Sequence, residues 1–404
     1  MTPAAEAAPD LAMLEKARTV ATRMRALKRD FAGAHRLAHD AQVREALARN
    51  ELGLALHAAL TAQADVQAKL RRQALAAFQT RGEAPLRRRN RISRRIDRML
   101  MRLGSLGQAL VIARSGVWRG SGQAAHDLRH MAAYARRGAR ADVTPLAPFD
   151  QAWYLAAHPD VASARQAPLV HYLAVGHAEG RSPSPLFDEA WYRQQNASDI
   201  AATGLSGLEH YLRVGAVRGA SPHPLFDVGY YLAQAPVLAA GDDPLSHYLR
   251  EGGHLWLSPH PAFDPDFYGT RAGDLSGRPA LLHYLDEGWR RGLSPHPLVD
   301  PAWYRQQYPE VAEADIEPLT HFLAFGGFEG RDPSPWFSTA HYRDARGEAL
   351  PPGVNPLTDY LLGGAWAVAE ARPGFPTVAY LAARPDAARS GVTPLEHWAR
   401  RQGR

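Results

Sequence analysis

The chain has 404 residues, with 47 Lys+Arg against 41 Asp+Glu, 18 His and no cysteine. That length allows two or three ordinary domains, and the lack of cysteine excludes a disulfide framework and thiolate metal sites. The net charge of +6 hides a split: residues 1–145 carry 27 bases and 12 acids, a net of +15, while the remainder carries 20 and 29, a net of −9.

Residues 1–9 read as disordered. The opening MTPAAEAAPDLAMLEKAR lacks a basic region followed by an apolar core, so no secretory leader is read there. No apolar run is long enough for a bilayer-spanning helix, and a cytoplasmic protein is the default. From Met13 a heptad stripe runs through Ala17, Val20, Met24, Leu27, Phe31, Ala34, Ala38 and Ala41, in alternating steps of four and three. That pattern holds an apolar seam on one helix face. Residues 51–79 are also rich in Ala and Leu. Over 10–80 two readings stay open: a self-associating coiled coil, and a hairpin in which 51–79 folds back.

Residues 81–145 read as a basic amphipathic helix and a linker. The stretch from 81 to 103 carries nine arginines, among them Arg87, Arg88, Arg89, Arg91, Arg94, Arg95 and Arg98. Ile92, Ile96, Met99, Leu100 and Leu103 follow at helical spacing. An anionic membrane surface would take both the stripe and the charge. Docking on the acidic part of the chain or on a partner is the competing reading, and nucleic acid, which takes the charge alone, is the least favoured.

From Phe149 onward the chain repeats itself. Copies open at Phe149, Phe187, Phe226, Phe263, Val299, Phe337 and Phe375, a period of about 38 residues that marks a repeat architecture. In the first, Asp150 is placed to cap a short helix, AWYLAA, which His158-Pro159 ends. Pro168 opens a second helix, LVHYLAV, with Gly176 expected as its left-handed stop. Ser-Pro-Ser-Pro then reads as an extended strap. Two-turn helices do not stand alone in water, so neighbouring units must stack. The expectation is an all-α protein whose residues 146–404 form a seven-unit, two-helix, solenoid-like array. The end copies are degenerate, with Ser338 and Pro376 at the capping position.

Two ladders are the candidate binding residues. One histidine per unit (His171, His210, His247, His283, His321) sits in the second helix. One per unit means one per rung, and separate rungs stand too far apart to share a metal ion. A structural bond, to a backbone carbonyl or the next unit's Asp, is the favoured reading. Trp153, Trp191 and Trp303 recur on the first helix, beside a Tyr. Repeated aromatic platforms suit a glycan polymer, but stacking alone also demands them. Asp264-Pro265-Asp266 matches a transferase metal motif, yet Asp264 falls on the capping position. No phosphate loop or nucleophile motif is present, so no catalytic residue, metal ligand or cofactor is expected.

The string FDxxWYL…PLxHYLxxGxxEGRxPxP resembles tandem repeats attached to bacterial surface-polysaccharide glycosyltransferases and rhamnan-synthesis-like proteins. Phe149 to Pro185 carries it, as does the fifth unit with Trp303-Tyr304, Pro318-Leu319, His321-Phe322 and Glu329-Gly330-Arg331. The resemblance covers 149–404 only. It implies association with exopolysaccharide or capsule assembly, with catalysis in the attached transferase. The expected function is a non-catalytic scaffold holding a protein partner, a glycosyltransferase or an assembly protein, with the basic helix at the inner face of the membrane. The alternatives are a carbohydrate-binding module and an enzyme whose site is concealed in the N-terminal third.

Overall fold

The computed structural model describes residues 11–82, 91–118, 123–143, 145–164, 166–235 and 237–402. The stretch 1–9 and Arg87, Arg88 and Arg89 lie outside these residues, as do the side chains of Met13, Ala17, Val20, Met24, Ile92, Arg91 and Arg94. Among the described residues the fold is all-α, with only isolated bridges in place of strands.

Helix α1 (Leu11–Gln79) is one continuous helix of 69 residues, about 100 Å long at 1.5 Å per residue. This corrects the hairpin reading. Gly53 could have broken the helix and does not. A Cβ there would stand 2.6 Å from the carbonyl oxygen of Val378, so Gly53 lets α1 pack closely on the last unit. Beyond it α1 runs along the array. His57 meets Trp366 edge-on at 6.1 Å, Arg71 Nη2 donates to the Leu362 carbonyl at 2.7 Å, and Phe78 is buried. Arg81 reaches the carbonyls of Leu238 and Ala239, at 2.5 and 3.1 Å. Arg81, the first arginine of the basic stretch, thus docks on backbone carbonyls rather than carboxylates. Leu27, Phe31, Leu37 and Leu47, earlier in α1, are exposed.

Most units are built around a buried cluster of one Phe and two Tyr; the fifth uses Val299, Tyr304 and Phe322, and the seventh Phe375 with the partly buried Tyr380 and Trp398. In the second unit Phe187 lies 5.1 Å from Tyr192 and 5.7 Å from Tyr211, ring to ring. Burying each such ring is worth about 2–3 kcal/mol. The capping carboxylates are where the sequence puts them: Asp150, Asp188, Asp227, Asp264 and Asp300 each accept the backbone N–H three residues on, at 2.8–3.0 Å. Pro168, Pro244, Pro318 and Pro356 open second helices. Consecutive straps bond to one another through the cap's own amide. Asp188 N donates to Pro222 O at 3.1 Å, Asp227 N to Pro259 O at 2.9 Å and Asp264 N to Pro295 O at 2.9 Å.

Gly176 is not a left-handed stop. The positive φ belongs to Gly180 and its counterparts Gly219, Gly292 and Gly330. The second helix runs on, through a five-residue π-turn at Tyr211–Gly215, Tyr248–Gly252, Tyr284–Gly288 and Phe322–Gly326. The reason for glycine is space. A Cβ at Gly176, Gly215, Gly252, Gly288, Gly326 or Gly364 would meet the first-helix Tyr hydroxyl at 1.9–2.4 Å.

The array also starts earlier than the repeat phrase. Helices α2 (Arg91–Met101), α3 (Gly104–Ser115) and α4 (Ala124–Arg137) replace the expected linker. Tyr134 of α4 donates to Gln151 Oε1 at 2.6 Å and accepts from Leu169 N at 3.1 Å. Tyr172, one repeat period further on, donates to Glu189 Oε2 at 2.6 Å and accepts from Leu208 N at 3.2 Å. Helices α3 and α4 are thus a degenerate unit ahead of the first full one. With only one face to stack, it keeps the contact residues and loses the signature.

Adding a methyl group at the glycine tests this packing. Gly215→Ala is expected to destabilise the full chain by about 2 kcal/mol, in the range of overpacked cores. Tyr192→Phe in that background should recover part of the loss by removing the clashing oxygen. Urea unfolding of the three proteins checks it, and an unchanged midpoint for Gly215→Ala contradicts the packing described.

Candidate functional site

The histidine ladder is a set of intra-unit bonds. The Tyr hydroxyl of the first helix meets His Nδ1 of the second: Tyr154 with His171 at 3.0 Å, Tyr192 with His210 at 2.8 Å, Tyr231 with His247 at 2.5 Å, Tyr268 with His283 at 2.6 Å and Tyr304 with His321 at 2.9 Å. The bonding partner is the unit's own tyrosine, not a backbone carbonyl or the next unit's Asp. The sixth unit shows what the pair requires. Asp359 replaces the histidine, accepts from Tyr342 at 2.5 Å and is matched by Arg346 at 2.7 Å. Burial is the main cause that pulls His171, His283 and His321 below the usual imidazole range. The ladder histidines are not brought together, and no cluster of His, Asp and Glu that could hold a metal ion exists among the described residues.

The strap histidines do come together. His223, His260 and His296 are buried on successive straps. Each Nδ1 accepts the backbone N–H two residues on, at 3.1, 3.1 and 3.2 Å, which leaves the proton of the neutral ring on Nε2. Burial pushes His223 down to about 4 and His260 to about 3, the latter helped by the other two rings. Ser334 does the same work in the next strap, accepting from Trp336 N at 3.2 Å. Nothing in the position requires an imidazole.

Trp153, Trp191 and Trp303 are half-buried. The fully buried partner is the neighbouring Tyr, so the tyrosines are the core and the tryptophans its rim. Trp153 and Trp303 stand edge-on to His158 and Tyr308 of their own units, both at 6.5 Å.

Glu189 is a strongly perturbed carboxyl. Burial pushes it up to about 7, a value that suits a general acid. It lines no cavity. Tyr172 donates to it, Gly207 N donates at 2.9 Å and Arg193 stands 3.6 Å away. Gln151 holds the same place in the preceding unit, bonded to Tyr134. In both units the position supplies the acceptor for the inter-unit tyrosine.

One feature lay beyond sequence reasoning. The array curls so that the seventh unit meets the fourth. Arg400 joins Asp264 to Glu396, and His296 Nε2 lies 3.7 Å from Glu396 Oε1. Between these units, the third and sixth units and α1 is a cavity of about 500 Å³. Arg71, Tyr230, Trp256, Asp264, His296 and Glu396 are among its lining residues. Trp256 has a φ of 58° and is 46% exposed. Asp264 is both a helix cap and half of the Asp-x-Asp match, and its carboxylate is held by Phe267 N and Arg400. The motif is a consequence of register.

The basic helix divides its stripe. Asp97 of α2 is buried and takes Arg114 Nε at 2.9 Å, and Arg114 Nη2 donates to Ser93 at 3.1 Å. Ile96 and Leu100 are half-buried, while Arg95, Arg98, Met99, Arg102 and Leu103 are exposed. No helix among the described residues is long and apolar enough to cross a membrane. No family model matches the chain, and comparison with curated proteins and with solved structures gives no match.

Glu189 offers a test of its burial. Its raised pKa means the folded chain holds a proton that the unfolded chain has released between the ordinary carboxyl range and about pH 7. Stability from this group is therefore fully present below the ordinary carboxyl range and is lost as pH rises through 7. Glu189→Gln should stabilise the chain at pH 8, by of order 2 kcal/mol, and change it little at pH 4. Urea midpoints at the two pH values check this. Equal effects at both would show that burial does not govern the carboxyl.

Proposed function

We propose that the chain is a non-catalytic scaffold that holds a protein partner through α1, in bacterial exopolysaccharide or capsule assembly at the inner face of the membrane. One observation carries the reading. The polar residues that could have done chemistry are spent inside the stack, while the first half of α1 leaves the array with its apolar seam uncovered. On that seam Leu27 and Phe31 are 65% and 76% exposed, and Ala34, Ala38 and Ala41 are exposed with them. A helix bearing such a seam gains its stability from a partner surface. The array is then a rigid mount, and the docked half of α1 fixes the direction in which the free half points. The partner is a glycosyltransferase or another assembly protein, the class that the repeat resemblance implies. Charge alone would suit nucleic acid, but the apolar seam favours protein.

A second reading, a glycan-binding module, is favoured by the seam cavity. Tyr230 and the exposed ring of Trp256 border it together with carboxylates and Arg71, a combination of stacking face and hydrogen-bonding groups that suits a sugar.

The scaffold reading expects that deleting residues 11–50 abolishes surface-polysaccharide output in the producing cells, while the truncated chain keeps the urea midpoint of the full chain. It also expects no turnover of nucleotide sugars by the purified full chain. Turnover, or undiminished output after the deletion, would contradict it.

A further inference from the structure

The outer end of the array is apolar where stacked arrays need a polar face. Met99, Leu103, Leu106 and Leu110 are 59%, 63%, 65% and 40% exposed. They are spaced four, three and four residues apart across the corner between α2 and α3. Leu106 and Leu110 share a face of α3, while Met99 lies in the last turn of α2 and Leu103 in the turn that joins the two helices. The corner is rigid. A Cβ at Gly107 would stand 1.9 Å from the Leu100 carbonyl oxygen, so α3 sits hard against the end of α2. Arg114 clamps the two helices through Asp97 and Ser93. The leucines are therefore held outward on a fixed frame.

Among the described side chains, the exposed charge of α2 and of the turn after it has one sign. Arg95, Arg98 and Arg102 are exposed beside the apolar residues. Asp97 is the only acid between residues 91 and 115, and it is buried against Arg114. Three occupants compete for such a face. A second copy meeting it end to end would set arginine against arginine. Nucleic acid would neutralise the arginines and leave the leucines in water. The surface of an anionic bilayer answers both, since apolar side chains enter the boundary of headgroups and acyl chains while guanidinium groups pair with phosphates.

We infer that the α2–α3 corner is an interfacial docking site for an anionic lipid bilayer, with Leu103 and Leu106 inserted and Arg95, Arg98 and Arg102 at the phosphate level. This rests on the placement of the scaffold at a membrane face and names the surface that holds it there. It departs from the expectation of a membrane-facing stripe along the whole basic helix, because Ile96 and Leu100 turn toward the body of the protein.

The test is co-sedimentation of the full chain with vesicles of phosphatidylcholine alone and of phosphatidylcholine with phosphatidylglycerol, at low and high salt. The chain is expected to pellet with the anionic vesicles and to be released only in part by salt. Leu103→Asp with Leu106→Asp should weaken binding roughly tenfold or more. Arg98→Ala and Arg102→Ala should each weaken it about fivefold. All of these side chains are exposed, so the urea midpoint should not move. Three results overturn the inference: no pelleting with anionic vesicles at low salt, pelleting that the leucine variants leave intact, or a concentration-dependent dimer that the leucine variants abolish without any lipid binding. The scaffold reading fails by a different route, through residues 11–50, which are not part of this corner.

Discussion

A tyrosine hydroxyl lodged in a gap the size of a glycine is the constraint on which the rest of the structure depends. The ring fills the unit's core, but its oxygen is carried into the interior and must find a partner there. The histidine of the second helix supplies that partner, and the glycine five residues after it leaves the room. Three residues that look unrelated in the sequence are one device. The sixth unit confirms the logic by varying it: Asp359 replaces the histidine, and because a carboxylate brings charge inside, Arg346 comes with it.

The fifth and seventh units have Phe322 and Trp398 at the position of the second tyrosine; in the others that tyrosine links one rung to the next. Its hydroxyl accepts the amide that opens the following unit's second helix, as Tyr172 does for Leu208, Tyr211 for Leu245 and Tyr360 for Leu395. Strap carbonyls take the cap amides on the opposite side of the unit. With two hydrogen-bonded rails the units stack at a fixed angle, and the turn brings the seventh unit back to the fourth. Helix α1 then lies across units two, three, six and seven, which ties both ends of the curl to one rod. The seam cavity and the direction of the free half of α1 both follow from that closure.

Much of this was legible in the sequence. The repeat period, the capping aspartates, the N1 prolines and the end of the first helix at His158-Pro159 are local facts, set by chemistry within a few residues. The histidine ladder was recognisable as structural because its spacing forbids convergence. What failed was non-local. Gly176 looks like a helix stop, since glycine usually is one there, and only the position of Tyr154 reveals the close approach. The unit built from α3 and α4 lacks the FD and WY signature, although Tyr134 stands one repeat period before Tyr172 in plain sight. The hairpin reading failed because Gly53 marks contact with Val378, in the last unit of the array. Arg71, Trp256, Glu396 and Arg400 are brought together by the curl alone, and no spacing in the chain announces them.

Native-state hydrogen exchange of the isolated full chain tests the central claim, that the array is a rigid mount for a helix half docked and half free. The account expects the amides of residues 54–79 to be as strongly protected as Leu208 and Leu245, and those of residues 27–50 to exchange far faster. Weak protection across 54–79 would mean that α1 is not held by the array. Equally strong protection across 27–50 at every protein concentration would mean that the free half is already covered within the chain, and that the mount has nothing left to offer a partner.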